Sequence, residues 1–199
     1  MAQQKAMQNN VAVFLTHQAL SELTLPRKAD TVICMMDGLN HIIDEQELLC
    51  ALERISICME PGGVFLFDVN TVYKHREILG DHSFVIETED VLCVWQNEQL
   101  EEEIVRMDLD FFIRLREKNP APRGDSTKDS QRSREEGVIQ QQDLYERKSE
   151  TFSERAYPAK TLEALLMKAG FEVQGTYDDM TFSPPHPRSE RVFYVAGKV

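Results

Sequence analysis

The stretch Glu60-Pro61-Gly62-Gly63-Val64-Phe65-Leu66-Phe67-Asp68-Val69-Asn70-Thr71 constrains this chain more than any other. A helical pattern runs up to Met59. Pro61 lacks the N–H that would continue it, and Gly62 and Gly63 admit the backbone angles of a tight exit. The apolar run from Val64 to Phe67 has no polar face, the pattern of a strand covered on both sides. Asp68 and Asn70 then bring polar groups to the strand's carboxyl end, where open α/β sheets bind ligands. A helix–turn–strand unit with no ligand would use the same residues. The stretch therefore predicts an α/β sheet and points to a site just past Phe67.

The residues ahead of it follow the same logic. Thr31-Val32-Ile33-Cys34-Met35-Met36 is a second strand without alternation, predicted to be central and covered on both faces. Asp37-Gly38-Leu39-Asn40-His41 follows at once, with Gly38 allowing a sharp turn. Asp44 suits a helix N-cap, and Glu45 and Glu47 suit the positive end of the helix dipole. Leu48, Leu52, Ile55 and Met59 share one face, so a helix over 45–59 packs on a sheet. Strand 31–36, this helix and strand 64–69 make a parallel crossover unit. Further upstream, residues 3–10 end a helix, and Thr16 to Leu25 is a loop with a short helical piece. Between them, Val11 to Leu15 is a short strand candidate rich in branched and aromatic residues.

After Tyr73 the character changes. Residues 84–87, 91–96, 104–115 and 144–152 read as strands with partial alternation. Met107, Leu109, Phe111 and Ile113 lie on one face, with Asp108, Asp110 and Arg114 on the other, as in an antiparallel sheet covered on one side. Residues 117–142, rich in proline, serine and charge, are predicted to be a disordered, solvated loop. Then Pro158 opens a helix with Leu162, Leu165, Leu166 and Ala169 on its apolar face, closed by Gly170. Phe171 to Tyr177 and Arg191 to Ala196 form an antiparallel strand pair at a sheet edge.

Composition narrows the function classes. At 199 residues the chain holds one domain, or one domain with an insertion. A formal charge of −12 argues against a nucleic-acid footprint, because phosphate contacts need a basic face. No apolar run approaches the ~20 residues of a bilayer crossing, so no membrane partner is expected. Met1 to Asn10 is polar, unlike a signal peptide. Cys34, Cys50, Cys58 and Cys93 lie in apolar contexts without paired spacing. They read as buried free thiols of a cytoplasmic protein, with no disulfide or metal site.

Taken in order, these residues resemble a known family. Strand, Asp37-Gly38-Leu39-Asn40-His41, helix, Met59-Glu60-Pro61-Gly62-Gly63, strand and Phe67-Asp68-Val69-Asn70-Thr71 are followed by a capping insertion, Ala169-Gly170-Phe171 and a strand pair. The order is similar to the carboxyl-terminal part of a class I S-adenosylmethionine-dependent methyltransferase, closest to a bacterial branch with a small-molecule type of cap. Tyr73-Lys74, Asp90 to Trp95, Asp110-Phe111-Phe112, Tyr145-Glu146-Arg147 and Ser189-Glu190-Arg191 also have counterparts there. The likeness covers nearly the whole chain except the loop after Glu117. It implies an incomplete Rossmann-like α/β core over 1–74 and 157–199, with an antiparallel β cap inserted at 75–156.

The resemblance also implies a cofactor, S-adenosylmethionine, and a small-molecule acceptor. By position, Ala19 and Leu20 would lie at the adenine, and Met35, Met36 and Asp37 would line the methionine side. Asn40 and His41 would face the acceptor. Asp68, Asn70 and Tyr73 would close the same pocket, and the cap would add Trp95, Arg155 and Tyr157. Each has a plainer use: Asp37 and Asn40 as turn caps, Tyr73 and Trp95 as packing, Arg155 as an ion-pair partner. No catalytic residue stands out. A sulfonium electrophile needs no metal.

The departures from the family concern the cofactor. The family holds it by a Gly-rich turn after the first strand and an acidic residue ending the second, and this sequence shows neither. Ala19 stands where an acidic residue is usual. The resemblance therefore implies an amino-terminally truncated form, or a sheet completed by another chain or a second copy along the open edge of strand 31–36. Without either, strand 11–15 would close directly onto strand 31–36. Two functional readings follow. One is methyl transfer to a small molecule by a partial form whose hold on the cofactor is weakened. The other is a catalytically inactive methyltransferase-like module for binding or oligomerisation.

Overall fold

Asp44 starts the central helix as its sequence expects: its side chain accepts the Glu47 N–H at 2.8 Å. In the computed structural model, which describes residues 2–101, 103–115 and 143–199, this helix α2 spans Glu45–Ile57, after a short α1 at Ala2–Gln8. Its Leu48, Leu52 and Ile55 are buried, as is Met59 just beyond it. The strand before it, β1 (Ala29–Cys34), and the strand after it, β2 (Met59–Asn70), pair in parallel, with Val32 opposite Phe65 and Cys34 opposite Phe67. The crossover unit is as predicted, but its turn is not. α2 ends at Ile57 and the chain enters β2 directly at Met59. Pro61 and Gly62 form a bulge across which the register jumps from Ala29 opposite Met59 to Thr31 opposite Val64. Gly62 holds a φ of 76°, which glycine adopts without strain.

Helix α3 (Ala159–Lys168) starts after Pro158 and buries Leu162, Leu165 and Leu166 beside α2. Strands β7 (Phe171–Asp178) and β8 (Arg191–Lys198) are antiparallel, and β8 pairs with β2 to give a sheet of order β1-β2-β8-β7. Phe65 and Phe67 are 0% exposed and stack at 4.7 Å, and Phe67 stacks on Tyr194 of β8 at 5.0 Å. The core therefore lies on one face of this sheet. Val64 and Leu66, on the opposite face of β2, are only half-buried. This corrects the expectation of a strand covered on both sides.

Two upstream expectations are corrected as well. Val11 to Leu15 forms no strand; it is extended and exposed, and Phe14 is 66% exposed. Its branched and aromatic residues favour a strand only where an edge accepts them, and it does not lie on β1. β1 is not central. It pairs with β2 alone, and Ile33 is 63% exposed. An apolar run without alternation marked a strand suited to burial, and among the described residues nothing covers its free edge.

The second sheet is an antiparallel meander of β3 (Ser83–Glu87), β4 (Val91–Glu101), β5 (Ile104–Arg114) and β6 (Tyr145–Arg155). A π-helical turn at Lys74–Leu79, which the sequence reading lacked, leads into it from β2. The alternation of β5 sorts its faces. Met107 and Val105 pack with Leu79, Phe84, Trp95, Leu109 and Phe152, while Asp108 and Asp110 bond outward to Thr151 and Arg147. The predicted loop 117–142 lies outside the described residues. The four cysteines are free, with Cys58 and Cys93 buried and Cys34 and Cys50 half-buried. No described helix is long and apolar enough to cross a membrane.

Candidate active site

The parallel pairing of β1 and β2 brings their carboxyl ends to one level, and each ends in polar residues. After β1 the chain turns sharply, with Met36 at φ 62° and Asp37 at φ 52°, both uncommon for residues with a side chain. A Cβ at Gly38 would stand 2.9 Å from Cys34 Sγ, so a larger residue there would require the Cys34 side chain to shift. The backbone N–H of Asp37 donates to Asp68 Oδ2 at 3.1 Å, tying this turn to β2. Arg191, the first residue of β8, donates to the same Oδ2 and lies 3.6 Å from Asp37 Oδ2. Asp68 is 0% exposed, and its Oδ1 has no hydrogen-bond partner among the described residues. Burial, and then the charge of Asp68, push the Cys34 thiol up.

Asn70 is the next node. Its Nδ2 donates to Asp37 Oδ2 and to Glu154 Oε2, the latter at 3.1 Å, and its Oδ1 accepts from Lys74 Nζ at 2.9 Å. Glu154 is buried in β6, with His41 Nε2 at 3.6 Å and the fully buried His75 Nε2 at 3.5 Å. Burial raises the Glu154 carboxyl. The contacts of His75 and Asn70 and the charge of the two imidazoles outweigh it and hold the group below its ordinary value of 4.5.

Above this polar floor lies a cavity of about 220 Å³. Asp37, His41, Asn70, Lys74 and Glu154 line its polar end, and Trp95, Met107, Leu109 and Phe152 line its apolar end from the cap sheet. Of the residues singled out in the sequence, Asp37, His41, Asn70 and Trp95 thus meet at one cavity, with Asp68 beneath it. Asn40 does not line it. It is 1% exposed, and its side chain bonds the backbones of Asn70 and Arg155.

Tyr73 and Tyr157 line a neighbouring cavity of about 230 Å³. The Tyr157 hydroxyl donates to the Ile42 carbonyl at 2.6 Å, and burial pushes its pKa up to about 12. Arg155 lies over the Tyr157 ring and reaches the Ile43 carbonyl and Glu45. Met35 and Met36 are exposed at the end of β1. Ala19 is exposed, and Leu20 packs against the main core.

Sequence reasoning left out Glu154, His75, Lys74 and Phe152. One signal for Glu154 was present. It lies two residues from Phe152, on the same strand face, so it points inward with an aromatic neighbour.

The lowered Glu154 carboxyl has a pH consequence. Its contribution to stability is fully present above its unfolded-state value and is lost as pH falls through the lower folded one. Glu154→Gln is therefore expected to flatten the loss of stability below about pH 4.5. Urea midpoints of both proteins, measured from pH 7 downward, check this. Parallel curves would contradict it.

No protein-family model matches the chain. It is 27% identical over 199 residues, 99% of this chain and 70% of the relative, to "Putative methyltransferase YqeM" of Bacillus subtilis (strain 168). It is 30% identical over 198 residues, again 99% and 70%, to "Putative methyltransferase GWCH70_2453" of Geobacillus sp. (strain WCH70). The fold matches the crystal structure of an S-adenosylmethionine-dependent methyltransferase from Clostridium acetobutylicum with a TM-score of 0.82 and 26% identity, over 99% of this chain and 69% of that one. A sheet with polar carboxyl ends, a second sheet that lines a cavity with them, and these likenesses converge: the chain belongs to the class I S-adenosylmethionine-dependent methyltransferases.

Proposed function

We propose that this chain takes part in methyl transfer from S-adenosylmethionine to a small-molecule acceptor held between the carboxyl edge of β1 and β2 and the cap. The cavity carries this reading. At about 220 Å³ it is smaller than the ~300 Å³ at which typical ligand pockets begin, so it suits a small acceptor. Its polar end presents the carboxylates of Asp37, which also faces Arg191, and Glu154 beside Lys74, and carboxylate oxygens suit an acceptor that carries N–H groups. Trp95 and Phe152 present apolar rings to the acceptor at the other end.

The residues present fit one end of the cofactor. Asp68 Oδ1, buried and without a hydrogen-bond partner among the described residues, would accept from an ammonium group once the turn at Met36 and Asp37 opens to expose it. No described strand stands along the free edge of β1; by the resemblance, Ala19 and Leu20 would be the residues nearest the adenine. When bound, the cofactor supplies a methyl group on a positively charged sulfur. The chain's own residues orient the acceptor against it. Calorimetric titration with S-adenosylhomocysteine tests the reading: saturable binding supports it, and no binding at millimolar ligand to the folded chain overturns it.

The free edge of β1 favours a second reading. In it the chain is a module that binds another polypeptide or a second copy along β1, and does not hold the cofactor alone. Ile33→Lys would place a charge on that edge and is expected to weaken association in sedimentation experiments. A chain that remains monomeric at all concentrations and binds the cofactor product unaided excludes this second reading.

A further inference from the structure

We propose that Glu154 is the positioning residue that sets the His41 ring to take the proton of the acceptor's nucleophile, an inference that rests on the methyl-transfer reading above. Glu154 is out of character for its strand. Residues 145–151 of β6 are exposed, whereas Glu154 is 3% exposed on the inward face. A buried carboxylate costs several kcal/mol unless it is paired and hydrogen-bonded. Two of its partners, Asn70 and His41, line the cavity, and the third, His75, is fully buried behind it. Asn70 Nδ2 donates to Oε2, and His75 Nε2 faces that same oxygen. His75 is itself anchored, with Nδ1 3.2 Å from the Glu103 carbonyl oxygen. Oε1 is thereby left to His41.

His41 differs from His75 in being reachable. Its side chain is 46% exposed, it lines the cavity, and its ring packs on Phe152 at 5.2 Å. The charged groups facing it are Glu154 from β6, Lys74 from the π-helical turn and Asp37 from its own turn. Among the described residues, Glu154 is the carboxylate within ion-pair distance of the ring. With Nε2 turned to Glu154, Nδ1 has no partner among the described residues and keeps its lone pair. The 3.6 Å separation is an ion-pair distance, longer than a hydrogen bond, and it must shorten as the ring gains charge.

The step balances. The acceptor enters as an ammonium; one N–H bond breaks and its proton goes to His41 Nδ1. The lone pair so freed on nitrogen forms the bond to the methyl carbon, and the pair of the old carbon–sulfur bond stays on sulfur. The Nε2–H of the resulting imidazolium points at the ionised Glu154, which offsets its charge.

Two measurements on the whole chain test this. The first needs no variant: nitrogen-15 histidine spectra are expected to show His41 protonated on Nε2 and not on Nδ1. A ring protonated on Nδ1 overturns the proposal. The second is turnover with S-adenosylmethionine and a panel of small primary amines. Glu154→Gln is expected to lower kcat by at least about tenfold with KM within about twofold, and His41→Gln by at least as much. A Glu154→Gln protein with wild-type kcat overturns the positioning role while leaving methyl transfer standing. A wild-type chain that turns over no acceptor overturns the methyl-transfer reading itself, and the proposal with it.

Discussion

Asn40→Ala is expected to destabilise the protein by about 3 kcal/mol or more, the sum of leaving three buried backbone groups unpaired at roughly 1 kcal/mol or more each. For a chain of this size that lowers Tm by on the order of 10 °C. The groups are specific. Asn40 Oδ1 accepts the Asn70 N–H at 3.0 Å, and Nδ2 donates to the carbonyls of Asn70 at 3.2 Å and Arg155 at 2.9 Å. The Asn40 backbone makes a fourth link, its carbonyl accepting the Arg155 N–H at 2.8 Å. One amide thus joins the end of β2 in the core sheet to the end of β6 in the cap. Asn40→Asp keeps the acceptor but turns a negative oxygen toward two carbonyls, so it is expected to fare no better. Urea denaturation of the three proteins measures this. A loss below about 1 kcal/mol for Asn40→Ala would mean that water replaces the amide at no cost.

Arg191→Leu carries the second large effect, an expected loss of about 3 kcal/mol, the lower end of the range for stripping a buried ion of its partner. The lower end applies because the Arg191 side chain is 22% exposed while Asp68 is fully buried. The arginine is the cation in ion-pair contact with the Asp68 carboxylate, and it also faces Asp37. Asp68→Asn is expected to cost less, since it removes the charge and keeps an oxygen for the Asp37 N–H. Combining Asp68→Asn with Arg191→Leu is expected to cost less than the two single losses added together. A double-mutant cycle reads this coupling directly, and strict additivity would show that the pair contributes nothing.

Both effects lie in residues whose part the sequence only half reveals. The turn Asp37 to His41 and the strand end Asp68 to Asn70 were legible as polar punctuation after apolar strands. Helices α2 and α3 were legible from their apolar spacing, and β5 from its alternation of Met107 and Leu109 with Asp108 and Asp110. Three other features were not. Ile33 sits in a run without alternation, which reads as buried, yet β1 has a free edge. Val11 to Leu15 has strand-forming residues and no strand to join. Glu154 looks like one more charge in an acidic cap until β6 turns it inward.

The sequence alone determined that helices α2 and α3 and the strands β1, β2, β5, β7 and β8 exist, and where polar residues follow β1 and β2, because those properties depend on neighbours a few residues away. The tertiary structure alone decided which polar ends meet. Asn40 finds Arg155 across 115 positions, Asn70 finds Glu154 across 84, and Arg191 finds Asp68 across 123. Such partnerships follow from the pairing of β8 with β2 and from the seating of the cap over the carboxyl edge. Both are products of long-range packing that no local pattern encodes. They turn a stretch of apolar strand with polar residues at its end into the floor of a half-open cavity.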